Sequence, residues 1–402
     1  MPLYYAALLG LSTVTKLLFD KGANVNTQGG VYGNALQAAS ARGHEQVVKT
    51  LLDKGADVNA QGGHYCNALY AASYRGHEQI VEMLLNAGAN VNTQGGYYGN
   101  ALQAASARGH EQVVKTLLDT GADVNAQGGV YGNALQAASA RGHEQVVKTL
   151  LDTGAEVNAQ GGVYSNALQA ASCGGHEQVV KTLLDTGAEV NAQGGEYGKA
   201  LQAASFRGHT EIVTLLLDRG AQTNALGEYY GNVLQAASFG GHKDLVKLLI
   251  SRLDITLQSQ DLYGRTLLWW AAAGGDIATI ETLIRQYNFD PREPDKYGRT
   301  PFWIATKKGH DAASKLLWEE CEETSTERPA PIKIDNNQRG ILCDVCTSRT
   351  IAPAFHYHCY LCAGGDWDMC EDCKASGACC ADAAHMLVKH TMKNEELVQV
   401  AI

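Results

Sequence analysis

The sequence predicts an all-α solenoid of about ten stacked helical hairpins, followed by a small cysteine-rich domain. A glycine-led step recurs every 33 residues and then, more loosely, 34 residues apart, and apolar pairs with helical spacing follow it. The second residue of the step is His44, His77, His110, His143, His176, His209, His242, Asp276 and His310. A fixed period of this length is the signature of stacked repeats, because a single hairpin cannot bury its own apolar face.

The copy that begins at Asn133 shows how each element arises. Asn133 and Gln136, three residues later, are expected to start a short first helix in the manner of a capping box. A second helix with one buried face then follows and ends at Gly154; its apolar residues are Val146, Val147, Leu150 and Leu151. Residues 158–162 form a turn-rich connection. The serial histidines occur once per unit, so we expect them to cap the second helices rather than to bind a metal.

The array resembles ankyrin repeats over residues 1–319. The resemblance is carried by the period, by the glycine-histidine step and by the start Thr300-Pro301-Phe302-Trp303, with a weaker form in Thr266-Leu267-Leu268-Trp269. Most other copies read Asn-Ala-Leu-Gln, so that glutamine replaces the motif histidine of the family. These glutamines are Gln37, Gln103, Gln136, Gln169, Gln202 and Gln235.

Composition and charge exclude several classes of function. The net charge of −10 argues against generic binding of nucleic acid, which needs a basic surface to neutralise phosphates. No stretch approaches the roughly eighteen apolar residues of a membrane span. Of the eleven cysteines, Cys66, Cys173 and Cys321 are isolated, which suits a reducing compartment better than a disulfide framework. We therefore expect an intracellular protein, cytoplasmic or nuclear, with no nucleic-acid or membrane partner.

The apolar segment at residues 3–11 imitates the central part of a signal peptide but lacks a basic start. It is also in register with the repeat, since Leu11 stands 33 residues before His44. Met1 falls where the first helix of this unit is expected to begin, so the first unit is interpreted as incomplete. We hypothesise that the chain is a C-terminal piece of a longer protein, or an open-ended array that packs against something else.

The composition changes after the last repeat. The segment that follows is acidic and polar and reaches Pro329, which is typical of a solvated linker. We therefore divide the chain into a repeat array at 1–319, an acidic linker at 320–340, a cysteine-rich domain at 341–392 and a tail at 393–402.

The cysteine-rich domain carries ligands of the type that zinc prefers, in the number that two tetrahedral ions need. They are Cys343, Cys346, Cys359, Cys362, Cys370, Cys373, Cys380 and His385. So small a domain has little core, and the binding of two structural zinc ions, each on the order of 10 kcal/mol or more, is expected to supply its folding energy. We expect no catalytic zinc, because closed ligand sets rich in cysteine leave no position for water.

This domain resembles a ZZ-type zinc finger through Cys343-Asp344-Val345-Cys346, Tyr357-His358-Cys359-Tyr360-Leu361-Cys362 and Gly365-Asp366-Trp367-Asp368-Met369-Cys370-Glu371-Asp372-Cys373. In the family the pairs cross over, which implies that the first and third pairs hold one ion and the second pair the other. The last two ligands are usually histidines. Here we favour Cys380 with His385, and the competing residues are Cys379, His390, His356 and His358.

Copies of the repeat differ mainly at the tip of the hairpin connection and at the end of the first helix. In the ankyrin family both places line the concave binding surface, so the resemblance implies a face that binds a protein partner. The expected aromatic contacts are Tyr74, Phe206, Tyr229 and Phe239. Beside them lies a row of arginines, Arg42, Arg75, Arg108, Arg141 and Arg207. These arginines either contact the partner or cover neighbouring helices and pair with local glutamates; the sequence leaves both readings open.

Three carboxylates accompany the zinc ligands. Asp344 lies inside the first cysteine pair, and Asp366 and Asp368 flank Trp367 just before the third pair. In some ZZ fingers, residues at the matching positions capture the free α-amino group of a peptide, and carboxylates can accept charge-assisted hydrogen bonds from an ammonium group. The alternative is that these aspartates only receive backbone amides and orient the cysteines.

The sequence therefore predicts a non-catalytic scaffold in which the repeats bind a protein and the finger binds a peptide, including its free N-terminus. The alternative is a regulatory or substrate-recognition tail of a larger enzyme, either a ubiquitin-transfer adaptor or a nucleotide-hydrolysing receptor, whose catalytic part lies outside this chain. Within the chain, no nucleophile with a base and no phosphate loop supports an enzyme. The combination of these repeats with this finger resembles multidomain proteins of filamentous fungi.

Overall fold

A computed structural model describes residues 1–223, 231–252 and 260–321 in full. Beyond these residues it describes the backbone of residues 322–323 and of six short strands. The chain divides into two compact units at residues 224–230. Met1–Thr223 belongs to the first unit, and the described residues from 231 onward belong to the second.

The first unit consists of helical hairpins, each with a short inner helix followed by an outer helix. The inner helices are α1 (Pro2–Leu8), α3 (Ala35–Arg42), α5 (Ala68–Arg75), α7 (Ala101–Arg108), α9 (Ala134–Arg141), α11 (Ala167–Gly174) and α13 (Ala200–Arg207). The outer helices are α2 (Ser12–Asp20), α4 (Glu45–Asp53), α6 (Glu78–Asn86), α8 (Glu111–Asp119), α10 (Glu144–Asp152), α12 (Glu177–Asp185) and α14 (Thr210–Asp218). Inner helices pack on inner helices and outer on outer, in sequence order.

The second unit continues the same pattern and then changes to strands. Its hairpins are α15 (Val233–Phe239) with α16 (Lys243–Arg252), α17 (Leu267–Gly274) with α18 (Ile277–Tyr287), and α19 (Pro301–Lys308) with α20 (Asp311–Glu323). With the seven hairpins of the first unit, the described residues therefore contain the ten hairpins that the period predicts.

Six strands follow the helices. They are β1 (Gly340–Leu342), β2 (Arg349–Ile351), β3 (Phe355–Cys359), β4 (Trp367–Cys370), β5 (Val388–Lys393) and β6 (Glu396–Gln399). Strands β1 and β2 form an antiparallel pair, and the others form an antiparallel sheet in the order β4-β3-β5-β6.

Most inner helices are short because the sequence fixes both of their ends. Asn133 is the N-cap of α9, and its side chain accepts a hydrogen bond from the Gln136 amide at 2.8 Å. Gly142 ends this helix in the left-handed region at φ 73°, where a residue with a Cβ is strained. The predicted capping box is only half right here, because the Gln136 side chain does not return to the cap. Both halves of the box are present at Asn232 and Gln235 of α15.

The outer helices supply the larger apolar side chains of the core. In α10, Val147 and Leu150 are fully buried, and the inner helix α9 contributes the buried Ala137 and Ala138. The small alanines allow adjacent inner helices to approach closely. Each fully buried valine or leucine contributes about 1.5–3 kcal/mol. Because the same residues are buried in hairpin after hairpin, the core of the first unit extends from repeat to repeat.

A buried glutamine joins one repeat to the next and takes the place of the motif histidine. Gln103 donates from Nε2 to the carbonyl of Ala126 at 2.9 Å and to that of Gly132 at 3.2 Å. Both carbonyls belong to the connection that leads to the next inner helix. Equivalent bonds are made by Gln37, Gln136 and Gln169. A buried carbonyl without a donor costs about 1–3 kcal/mol, so these glutamines fix the connections in place.

The serial histidines require a correction. They occupy the N-cap positions of the outer helices, but their side chains do not cap those helices. Instead, Nε2 of His110 donates to the carbonyl of Tyr74 at 3.1 Å, and Nε2 of His143 donates to that of Ala107 at 3.2 Å, each in the preceding repeat. A carbonyl oxygen can only accept, so Nε2 carries the proton. These histidines link repeats rather than capping helices.

Candidate partner-binding face

A row of tyrosines crosses the first unit at the hairpin connections. Each tyrosine lies two residues before the residue that caps an inner helix, and the row consists of Tyr32, Tyr65, Tyr98, Tyr131 and Tyr164. Tyr98 stacks on Tyr131 with ring centroids 5.8 Å apart and planes 8° apart. Tyr74, at the end of α5, lies between Tyr65 at 5.4 Å and Tyr98 at 5.7 Å. Aromatic pairs at these distances contribute about 0.5–1.5 kcal/mol beyond the burial of their area.

Exposed arginines from the ends of the inner helices lie over these rings. The distances from Cζ to the nearest ring centroid are 5.9 Å from Arg42 to Tyr32, 5.6 Å from Arg75 to Tyr74, 4.9 Å from Arg108 to Tyr74 and 5.9 Å from Arg141 to Tyr131. We call the five tyrosines of the row and these four arginines the tyrosine–arginine ladder. The guanidinium groups are exposed to solvent, while most of the ladder's tyrosines are buried beneath them.

The ladder bears on the suggestion that the arginines of the row pair with local glutamates. Within the part of the chain whose side chains are described, none of the four ladder arginines forms an ion pair with a carboxylate. Tyrosine rings, rather than glutamates, hold these guanidinium groups. Arg75 adds a hydrogen bond of 2.9 Å to the hydroxyl of Tyr65. The positive charges of these four arginines are therefore not neutralised by a carboxylate among the described residues.

The row changes beyond Arg141. Gly174 takes the position of the arginine in the next repeat, and the repeat after that restores it as Arg207. Arg207 lies 5.4 Å from the centroid of Phe206 and donates to the hydroxyl of Tyr197 at 3.3 Å. Burial, reinforced by the nearby Cys173 thiol, raises the pKa of Tyr197, so that its hydroxyl stays protonated. Phe206 is half-buried against the Tyr197 ring at 5.6 Å.

The tips of the hairpin connections border the ladder with exposed apolar side chains. Val31 is 73%, Tyr97 68% and Val163 48% exposed. Tyr97 contacts the ladder directly, because its ring meets that of Tyr98 edge-on at 5.0 Å. His64 meets Tyr65 in the same way at 4.8 Å. Exposed apolar groups beside exposed cations give this face the composition of a surface that binds protein.

The aromatic residues of the second unit are placed differently. Phe239 is half-buried edge-on against Trp270 at 5.8 Å, and Tyr229 lies outside the described residues. Arg265 lies 4.2 Å from a ring centroid of Trp270, but it also forms an ion pair of 2.6 Å with Asp261. The next repeat has the same arrangement, in which Arg299 pairs with Asp295 at 2.7 Å. The charges of these two arginines are thus neutralised within the fold.

The predicted zinc ligands lie mostly outside the described residues. Of the eight, the structure describes the backbone of Cys359 at the end of β3 and of Cys370 at the end of β4. Between β3 and β4, Cys359 is opposite Trp367, His358 is opposite Asp368, and His356 is opposite Cys370. Between β3 and β5, His356 is opposite His390. Among the residues whose side chains are described, no group of three or more histidine, cysteine or acidic residues is arranged to hold a metal ion.

The stacked hairpins define a repeat protein of the kind that binds other proteins. A family model described as ankyrin repeats (3 copies) matches residues 3–95, 68–161, 135–226 and 233–327, which together cover most of the chain. The chain therefore belongs to the ankyrin repeat family. None of the described helices has the length and apolar character needed to cross a bilayer.

Two known proteins resemble parts of the chain. The crystal structure of the human ASB11 ankyrin repeat domain is 28% identical, with a TM-score of 0.50, and the match covers 55% of this chain and 99% of that domain. The azaphilone pigments biosynthesis cluster protein L of Monascus ruber is 58% identical over 50 residues. The match spans 11% of this chain and 11% of that relative, so it bears on one short segment of repeat sequence.

Proposed function

We propose that this chain is a non-catalytic scaffold whose ankyrin repeats bind a protein partner through the tyrosine–arginine ladder and the hairpin tips beside it. The observation that supports this proposal is the exposure of unpaired arginines on a rigid aromatic base, next to Val31, Tyr97 and Val163. Arginine and tyrosine dominate the energetics of many protein interfaces, and rigid side chains lose little entropy when they bind.

The aromatic contacts predicted from the sequence are part of this proposal, but they are poor positions for a test. Tyr74 and Phe206 are packed against neighbouring rings, so their removal would also disturb the fold. The exposed tips offer cleaner substitutions. Val31→Ser, Tyr97→Ser and Val163→Ser together are expected to reduce recovery of the native partner in a pull-down at least fivefold, because each loss of exposed contact area costs the complex about 0.5–1.5 kcal/mol.

The matched control carries three substitutions on exposed residues of the outer helices, Gln46→Ser, Gln112→Ser and Gln145→Ser, one in each of three repeats. It is expected to retain the partner at the level of the unmodified chain. Equal loss in both variants, or full retention in the tip variant with its fold intact, would refute the role of the tips.

The zinc-binding domain is a second part of the proposal. We propose that two structural zinc ions are held by the eight cysteine and histidine residues predicted from the sequence. The backbone register supports the assignment of Cys359 and Cys370 to different ions. These two residues are three positions apart along the β3–β4 ladder, or about 10 Å, whereas thiolates of one tetrahedral ion lie about 2.3 Å from the metal. The ions would supply the folding energy of residues 341–392, and chelation would remove it.

Peptide-end capture by Asp344, Asp366 and Asp368 is the finer proposal for this domain. Asp344→Ala and Asp368→Asn are expected to weaken binding of a peptide with a free N-terminus at least tenfold, because each removes a charge-assisted acceptor for the ammonium group. Elemental analysis is expected to find two zinc ions per chain in both variants. Equal affinity for free and N-terminally acetylated peptides in calorimetry would rule out capture of the amino group.

A further inference from the structure

The charges of the ladder indicate which kind of partner it can bind. We propose that the tyrosine–arginine ladder binds an extended, acidic peptide segment with an acidic side chain at about every third residue. This inference rests on the proposed function and specifies the partner that the face selects. Three observations carry it: the four arginines have no ion-paired carboxylate, aromatic rings lie beneath their guanidinium groups, and the arginines are regularly spaced.

Within the part of the chain whose side chains are described, the four ladder arginines have no ion-paired carboxylate, unlike Arg219, Arg265 and Arg299. Arg219 pairs with Asp185 at 2.9 Å, and Arg265 and Arg299 pair with aspartates of their own hairpin connections. The chain as a whole carries a net charge of −10. Four cations without an ion pair on one side of an acidic protein favour an anionic segment as the ligand of this face.

The rings beneath the arginines hold the guanidinium groups ready for binding. A cation above an aromatic face gains about 0.5–1 kcal/mol at an exposed site, which limits the freedom of an otherwise flexible side chain. Arg75 uses part of its donor capacity on the Tyr65 hydroxyl. A guanidinium group has five N–H donors, so enough of them remain to bind a carboxylate through two parallel hydrogen bonds. The ladder therefore presents donors whose freedom is already partly restricted before a partner arrives.

The spacing of the arginines indicates the conformation of the segment. Arg75 and Arg108 occupy equivalent positions on α5 and α7, which pack directly on each other, so they are separated by about the 8–10 Å between the axes of packed helices. Their Cζ atoms lie 5.6 Å and 4.9 Å from the centroid of the Tyr74 ring between them, which is compatible with this separation. A polyproline II helix rises about 3.1 Å per residue with three residues per turn, and it returns to the same side about every 9 Å. A β-strand returns to the same side about every 6.7 Å. The ladder therefore matches acidic residues at every third position of a polyproline II segment.

The test uses the full chain and a fluorescein-labelled peptide of four Glu-Pro-Pro triplets, with binding measured by fluorescence anisotropy. We expect Arg42→Gln, Arg75→Gln, Arg108→Gln and Arg141→Gln together to weaken binding at least tenfold. The matched control removes four exposed positive charges from the outer helices, by Lys49→Gln, Lys115→Gln, Lys148→Gln and Lys181→Gln. This control is expected to change the affinity less than twofold. Equal weakening in both variants would overturn the proposal, because only net charge would then matter.

Three further probes test the unmodified chain, so the result does not depend on the folding of any variant. A peptide of four Gln-Pro-Pro triplets is expected to lose at least tenfold in affinity. A peptide of the same composition as the first, but with its four glutamates adjacent, is expected to lose at least threefold. Equal binding of the glutamine peptide or of the rearranged peptide would contradict the proposal. Tighter binding of a twelve-nucleotide oligothymidylate than of the acidic peptide would assign the ladder to nucleic acid instead.

The pull-down with the tip variant and the peptide-binding measurement together distinguish a failure of this inference from a failure of the proposed function. If the native partner is lost from the tip variant but no acidic peptide binds the ladder, the repeats bind protein by another chemistry and the inference alone fails. If the tip variant retains its partner and the acidic peptide does not bind, both fail.

Discussion

At the scale of the residue, one polar side chain per repeat carries much of the link between neighbours. The glutamines donate to the next connection, and the histidines donate to the preceding inner helix. The sequence predicted that both residue types are structural, but it assigned them to helix caps. Their actual partners lie 23 to 37 residues away in the chain, and only the stacking geometry brings those carbonyls within reach.

The histidines make stability depend on pH. Burial is the main cause that lowers the pKa of His77, His110 and His143 below the ordinary value of 6.5. Between pH 6.5 and the lowered pKa, the unfolded chain binds protons that the folded chain does not, so the free energy of unfolding falls as the pH falls. Urea unfolding at pH 7.5 and 5.5 is expected to show lower stability at pH 5.5.

The variant His110→Gln is expected to reduce this pH dependence, because it removes one of the histidines with a lowered pKa. His64→Gln provides the control, since His64 is exposed at a hairpin tip. If the free energy of unfolding changes by the same amount between pH 7.5 and 5.5 in the His110→Gln variant and in the unmodified chain, His110 does not contribute to the pH dependence.

At the scale of the element, each hairpin is defined by its own sequence, but its position is fixed by bonds to the next hairpin. The helix bounds follow from the asparagine caps and left-handed glycines, and they were predictable from one copy. The tyrosine row was not predicted. Tyrosine at this position hardly varies between copies, and the stacking of these tyrosines on one another arises only between repeats. The recurrence of a large aromatic residue just before each helix cap was the available signal.

Asparagines at the surface provide a test of this coupling between hairpins. Asn92 donates to the carbonyl of Gly121 at 3.1 Å and accepts from the amide of Asp123 at 2.8 Å, both in the next repeat. Asn92→Ala removes both bonds, and we expect the free energy of unfolding to fall by about 1–2 kcal/mol in urea. Asn86→Ala, at the exposed end of α6, makes the same chemical change without that bridge and is expected to stay within about 0.5 kcal/mol. Equal effects of the two substitutions would show that the bridge contributes nothing.

At the scale of the molecule, the two units place the same residue types in different roles. The first unit leaves its ladder arginines exposed on tyrosines, whereas Arg265 and Arg299 of the second unit are neutralised by aspartates beside buried tryptophans. The sequence identified the arginine row but left open whether these arginines contact a partner or pair with local glutamates. The two cases differ in whether a carboxylate lies within about 4 Å of each guanidinium group, which only the folded structure determines. The aromatic contacts and the zinc ligands remain predictions at the level of individual residues.

The central claim is that the ladder face of the first unit binds a protein partner. Site-specific photocrosslinking tests this claim most directly. A photoreactive residue replaces Tyr97, which lies beside the ladder, or, as a control, Lys115, which lies on the outer helix of the next hairpin. Both side chains are exposed. We predict a discrete protein adduct from position 97, none from position 115, and loss of the adduct when the four ladder arginines are changed to glutamine. Equal labelling from both positions, or an adduct from position 115 alone, would contradict the claim.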